Sequence, residues 1–166
     1  MTRLTHLVAQ RRTRTPLGPV LMARSSLGLA GLWFDGQAHH PGALAVPERT
    51  ETDAVFDVAE QALADYFAGR HPTLPQLDPQ GTPFQATVWA ALRAIAPGQL
   101  RRYGELAGAL GKPSAARAVG AAVGRNPISI FIPCHRVLGA DGSLTGYAGG
   151  LDRKRALLAL EGMNTA

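Results

Sequence analysis

Cys134 is the only cysteine in a chain of 166 residues, and it stands in the run NPISIFIPCHRV, from Asn126 to Val137. A lone cysteine is ordinarily a small buried hydrophobe. Here it is followed by His135 and Arg136, and a basic, cationic neighbourhood lowers a thiol pKa toward the thiolate, which is the nucleophilic form. Ile128, Ile130 and Ile132 alternate as a short strand. Pro133 lacks the N–H that a ladder needs, so it stops the strand and presents Cys134 at its end. Side chains of consecutive extended residues diverge, so His135 reaches the sulfur only through a bent backbone or a bridging water. A single cysteine permits no internal disulfide, and with no second sulfur the common structural zinc sites cannot be built. His39 and His40 are adjacent with no ligand triad nearby, and they read as solvated side chains.

The elements that hold this run follow from punctuation and periodicity. Thr82 and Pro83 form a cap and first helical residue, and Phe84, Val88, Trp89, Leu92 and Ile95 then share one face until Pro97 and Gly98. A short helix from Tyr103 to Leu110 ends at Gly111, and a second from Ser114 to Val123 ends at Gly124. Two short helices across a glycine turn make a helix-turn-helix candidate. The second helix reads AARAVGAAV, with Arg117 as its one long polar side chain. Readout of bases in the major groove needs several such side chains, so this helix carries no sequence code. Its small residues do allow close approach to a surface, with one arginine free to enter a base stack or meet a phosphate. The competing reading is a helix packed into the core through alanine and glycine.

A proline-rich join, HPTLPQLDPQGTP around residues 71 to 83, separates this half from a first zone. There Leu17 to Phe34 reads as short strands turning at Ser25 and Ser26, and residues 35 to 50 form a loop. Thr52 caps a helix whose apolar face is Val55, Phe56, Ala59, Ala62, Leu63, Tyr66 and Phe67. The expected fold class is α+β, with a small antiparallel sheet and helix over residues 1–80 and a mainly helical domain over 81–166. Residues 1–34 carry five arginines and no acid, 35–78 two basic and eight acidic residues, and 79–166 ten basic and four acidic. The basic C-terminal half suits a polyanion surface, although a solvated arginine-rich face has the same arithmetic. No apolar run reaches membrane-spanning length and no secretion signal is evident, so a cytoplasmic location, nucleoid-associated when bound to DNA, is expected.

The run IPCHRV, preceded by GRNP, followed by GSLTGYAGGLDRKRALLALEG and headed by GTPFQATVWAALRAI, closely resembles the O6-alkylguanine-DNA alkyltransferases, also called methylated-DNA-protein-cysteine methyltransferases. The resemblance covers residues 81–162 almost without gaps, and the first 80 residues match only in outline. It implies a protein that moves one alkyl group from guanine O6, and from thymine O4, in double-stranded DNA to its own cysteine and is then spent. On this likeness Cys134 is the acceptor, His135 its base through a water, and Glu161 the residue that orients the histidine. Tyr103 and Arg117 manage a flipped lesion base, with Ser114 and Ala116 on the DNA side. Asn126 lies in a hinge between the helix-turn-helix and the active-site loop. Val137, Tyr147 and Ala148 line the pocket.

Several positions depart from relatives. Arg102 stands where many have serine, Ala148 where some have serine, and Ser129 where the mammalian relative has a pocket proline. The zinc that mammalian members hold in the N-terminal domain has no cysteine here to bind it, so neither metal nor cofactor is expected. The anticipated partner is alkylated double-stranded DNA, bound by a monomer with room for cooperativity along the duplex. Two other readings are a nonenzymatic binder of alkylated DNA and a helix-turn-helix regulator with an inert cysteine. Cys134 speaks against the first, whose known members carry tryptophan at that place. The missing base-reading side chains speak against the second.

Overall fold

A computed structural model describes residues 4–164. Three antiparallel strands lead the chain: β1 (Leu7–Thr15), β2 (Gly18–Ser25) and β3 (Leu29–Phe34), in the order β1-β2-β3. The last two are those read from the sequence, with the turn at Ser25 and Ser26. The first was not anticipated, because Arg11, Arg12 and Arg14 mask its alternation. Arg11 is in fact buried, and its guanidinium donates to Asp57 Oδ1 at 2.8 Å, to the Arg49 carbonyl at 2.7 Å and to the Glu51 carbonyl. A buried arginine is tolerable only with such partners.

Helix α1 (Ala54–Phe67) lies on that face of the sheet, with Arg11 and Arg24 over the Phe56 ring. It buries Phe56, Ala59, Ala62, Leu63 and Tyr66, close to the expected face. Its cap is Asp53 and not Thr52. Asp53 accepts from the Val55 and Phe56 amides and also from Arg24 Nε at 2.7 Å, a tertiary partner that a threonine could not match. On the other face Leu21, Ala23 and Trp33 pack with Leu4, Leu7 and Leu44. The Trp33 indole lies over Gly31, where a Cβ would fall 1.9 Å from the ring.

By internal contacts the described chain forms two units, one running to Gln80 and taking in Pro127–Ser129, the other comprising Gly81–Asn126 and everything from Ile130 onward. The three-residue excursion extends the sheet. Leu32 donates its amide to the Pro127 carbonyl, and the Ser129 amide donates to the Leu32 carbonyl. The alternating isoleucines therefore do not make a strand. Only Ile128 bridges to β3, and the chain then turns, with the β-branched Ile130 at φ +72°. Left-handed backbone at such a residue is costly, and strain of this kind persists only where the surroundings over-determine it.

The second unit begins with α2 (Pro83–Arg93), closed at its start by reciprocal hydrogen bonds between Thr82 and Gln85. It buries Val88, Trp89 and Leu92, with Ile95 beyond its end, while Phe84 is half-buried. A two-residue strand β4 (Arg101–Arg102) pairs in parallel with β5 (Val137–Leu138), which sets the start of α3 (Tyr103–Ala109) beside the segment after Cys134. Gly111 at φ +70° reverses the chain. Pro113–Ala115 makes a 3₁₀ turn, so the second helix of the pair, α4, runs Ala116–Gly124 and starts two residues later than the sequence suggests. Val119, Ala122 and Val123 are its buried residues, and the Trp89 indole N–H donates to the Ala122 carbonyl at 2.8 Å, tying α4 to α2. Helix α5 (Leu151–Leu160) closes the unit. Among the described residues no helix is long and apolar enough to cross a membrane.

Candidate active site

Cys134 opens a 3₁₀ turn, Cys134–Arg136, and is buried. It is therefore not at the end of a strand. The turn is closed by the Arg136 amide donating to the Pro133 carbonyl, while the Cys134 amide donates to that of Ile132. Asn126, itself buried, spends one side-chain amide N–H on the Ile132 carbonyl at 2.7 Å and meets Cys134 Sγ at 3.1 Å. The residue read as a hinge thus touches the Cys134 sulfur.

The cationic neighbours do not act as the sequence suggests. Burial pushes the Cys134 thiol above its ordinary pKa, against the Asn126 hydrogen bond and the charge of Lys154, which favour the thiolate. Arg136 does not serve the sulfur, because its guanidinium is engaged elsewhere. Its Nε donates to Glu161 Oε2 at 2.9 Å and its Nη2 to Oε1 at 2.8 Å. Its Nη1 donates to the Ile95 carbonyl at 2.6 Å.

Glu161 is the C-cap residue of α5, with a side chain only 4% exposed. Its Oε1 also receives the Nε2–H of the wholly buried His135 at 2.7 Å. Burial opposes ionisation of the carboxyl, but hydrogen bonds and charge from His135 and Arg136 outweigh it and hold Glu161 at about 2. Burial also drives His135 below its ordinary pKa, against the pull of Glu161. The neutral ring donates through Nε2, which leaves Nδ1 as the basic nitrogen. That atom is buried and has no hydrogen-bond partner among the described residues.

Lys154 is a site residue that the sequence reading missed. It is fully buried on α5, and its Nζ donates to the Val137 carbonyl at 2.5 Å and the Thr145 carbonyl at 3.0 Å. Burial lowers its pKa to about 8, and the Cys134 charge works in the opposite direction. Its spacing from Leu157 and Leu158, three and four residues on, was the available signal. The Thr145 carbonyl also accepts from the half-buried Tyr103 hydroxyl at 3.4 Å. Lys154 therefore links β5, the loop after it and the start of α3.

Val137 and Tyr147 are buried and Ala148 is half-buried. Ser114, in the 3₁₀ turn before α4, and Arg117 are exposed, while Ala116 is half-buried. Arg117, Ala118 and Ala121 form an exposed strip on α4, with Arg125 exposed just beyond its end. Among the described residues no cluster of three or more His, Cys, Asp or Glu side chains is placed to hold a metal ion.

Glu161 gives the site a pH signature. A carboxyl whose folded pKa is depressed contributes stability above its unfolded pKa and loses it as pH falls toward the folded value. Here the window runs from 4.5 down to about 2. Urea titrations of wild type and Glu161→Gln should differ by about 3 kcal/mol at neutral pH, and the difference should shrink steadily across that window. A difference that is the same at every pH would show that the carboxylate charge contributes nothing.

The profile of the 6-O-methylguanine DNA methyltransferase DNA-binding domain matches residues 83–163. Over 150 residues the chain is 47% identical to a methylated-DNA–protein-cysteine methyltransferase of Methanosarcina acetivorans, covering 89% of this chain and 94% of that one. Mycobacterium tuberculosis OGT, solved in complex with DNA, superposes with a TM-score of 0.82 at 44% identity, over 93% of this chain and 92% of that one. An O6-methylguanine DNA methyltransferase from Methanococcus jannaschii gives 0.68 at 28% identity, over 93% and 95%. With near-complete coverage at this identity, the chain belongs to the methylated-DNA–protein-cysteine methyltransferase family.

Proposed function

We propose that this protein repairs double-stranded DNA by drawing the alkyl group of an O6-alkylguanine, and of an O4-alkylthymine, onto Cys134 in a single irreversible turnover. The observation that carries this reading is the sole cysteine, with Asn126 at its sulfur, in one 3₁₀ turn with a histidine held by a buried carboxylate. The thiol proton passes through a water to His135 Nδ1. The sulfur attacks the alkyl carbon, the C–S bond forms as the C–O bond breaks, and the guanine leaves as an anion that takes up at its ring the proton given back by the His135 imidazolium through water. Burial holds the thiol above its ordinary pKa, so the base is needed to take the proton as the sulfur attacks. Lys154 then offsets the new thiolate charge.

The alkyl carbon is hemmed in by the paired stack, so the base must be extruded at a cost of a few kcal/mol. In this reading Arg117 fills the gap, Tyr103 crowds the phosphate of the rotated nucleotide, and Ser114 and Ala116 lie against the backbone. Val137, Tyr147 and Ala148 receive the base, and Asn126 joins α4 to the active-site turn. The exposed arginine on an alanine-rich face supports minor-groove entry without a sequence code, which counts against the regulator reading. Residues 1–80 form the N-terminal domain and 81–166 the DNA-binding and acceptor domain. The protein acts in the cytoplasm as a monomer, and copies are free to bind cooperatively along DNA.

A duplex carrying one O6-methylguanine, incubated with the protein and followed by intact-mass and peptide analysis, tests the reaction. One methyl per chain on Cys134 is expected, with Cys134→Ser binding the same duplex and gaining nothing. Turnover beyond one lesion per chain, or a methyl on any other residue, contradicts it. Extrusion is tested separately by Arg117→Ala and Tyr103→Phe. Each should slow repair within a duplex by about tenfold or more while leaving reaction with a free O6-alkylguanine base within about threefold. Equal losses on both substrates would place these side chains in the chemical step.

A further inference from the structure

Arg136 is adjacent to the histidine in sequence, yet it makes no contact with the sulfur and is only 7% exposed. Every nitrogen of its guanidinium has an assigned acceptor: two face the two oxygens of Glu161, and the third binds the Ile95 carbonyl just past the end of α2. Glu161 Oε1 consequently receives two donors, His135 Nε2 and Arg136 Nη2, and Oε2 receives Arg136 Nε. A planar fork of this kind fixes both the position and the rotation of a carboxylate, which a point charge cannot do.

We propose that Arg136 is a positioning residue of the alkyl transfer: by clamping Glu161 between the 3₁₀ turn and the end of α2, it keeps the carboxylate an acceptor aimed at His135 Nε2, and so reserves Nδ1 for the thiol proton. This inference rests on the relay proposed above, with His135 as base. It adds a role for a residue that the relay itself does not use. The charged and titratable groups facing one another here are Cys134, His135 and Arg136 on the turn and Lys154 and Glu161 on α5. The segment just past α2 contributes the neutral Ile95 carbonyl.

Removing the guanidinium has two separable effects. The Glu161 carboxylate loses its clamp, and His135 loses a positive neighbour that disfavours its protonation. A base that protonates more readily stops working at a higher pH, so the acid limb of the transfer rate should rise.

The experiment follows single-turnover transfer from a free O6-alkylguanine base to the full chain between about pH 5 and 9. The amplitude counts competent molecules and the rate constant reports their chemistry. Arg136→Met should transfer at least about tenfold more slowly per competent molecule, with its acid limb displaced upward. Arg136→Lys keeps the charge and loses the fork, so it should be slower with the acid limb in place. A merely structural arginine would lower the amplitude alone, and an Arg136→Met acid limb that stays in place overturns the proposal. If that variant yields no competent molecules, Arg136→Lys decides, and a wild-type rate in it is equally fatal. His135→Ala separates the two claims. If it transfers at the wild-type rate, the relay itself fails; if it is slow while both Arg136 variants are normal, only the role of Arg136 falls.

Discussion

One buried carboxylate organises the active site. Taking Glu161 out of water would cost several kcal/mol were its oxygens left bare. Three hydrogen bonds, two from Arg136 and one from His135, make it tolerable. Those bonds bring the end of α5, the 3₁₀ turn of Cys134 and, through Arg136, the carbonyl of Ile95 to one point. Each participant needs the others. His135 is wholly buried and Arg136 nearly so; the buried guanidinium needs an anion, and the neutral imidazole needs an acceptor for its Nε2–H. Cys134 thus shares one 3₁₀ turn with the two residues that hold this carboxylate.

The sulfur sits under opposed influences. Burial favours the neutral thiol, while the Asn126 amide and the buried Lys154 ammonium favour the thiolate. Burial prevails and keeps the thiol above its ordinary pKa. For a protein proposed to act once, a thiol ionised at rest would be open to oxidation and stray alkylating agents. Lys154 also fastens the Val137 carbonyl, on the proposed pocket wall, to the Thr145 carbonyl that Tyr103 approaches. The ammonium beside the sulfur therefore also ties these two carbonyls together.

Much of this was legible in the residues. The helix faces, the hairpin at Ser25 and the caps at Thr82 and Gly111 follow from local rules, and IPCHRV with its flanking runs pointed to the family. What escaped depended on tertiary partners. Strand β1 hid behind arginines because Arg11 is buried against carboxylates and carbonyls supplied by residues 49 to 60. Lys154 lay in the charged run DRKR, which looks like a solvated surface until Leu157 and Leu158 set the phase of the helix. The alternation of Ile128, Ile130 and Ile132 imitated a strand, but Ser129 and Phe131 between them are buried too, so the alternation marks no exposed face. Nothing local distinguishes Arg136 beside a thiol from Arg136 clamping a carboxylate 25 residues away.

In this arrangement Glu161 fixes His135 as the Nε2–H tautomer, with Nδ1 free to accept a proton. Nitrogen-15 NMR of the imidazole measures this directly in the unreacted protein. One protonated nitrogen, Nε2, and an unprotonated Nδ1 are expected throughout the neutral range, with that assignment lost in Glu161→Gln. A proton on Nδ1, or an imidazolium at neutral pH, would contradict it.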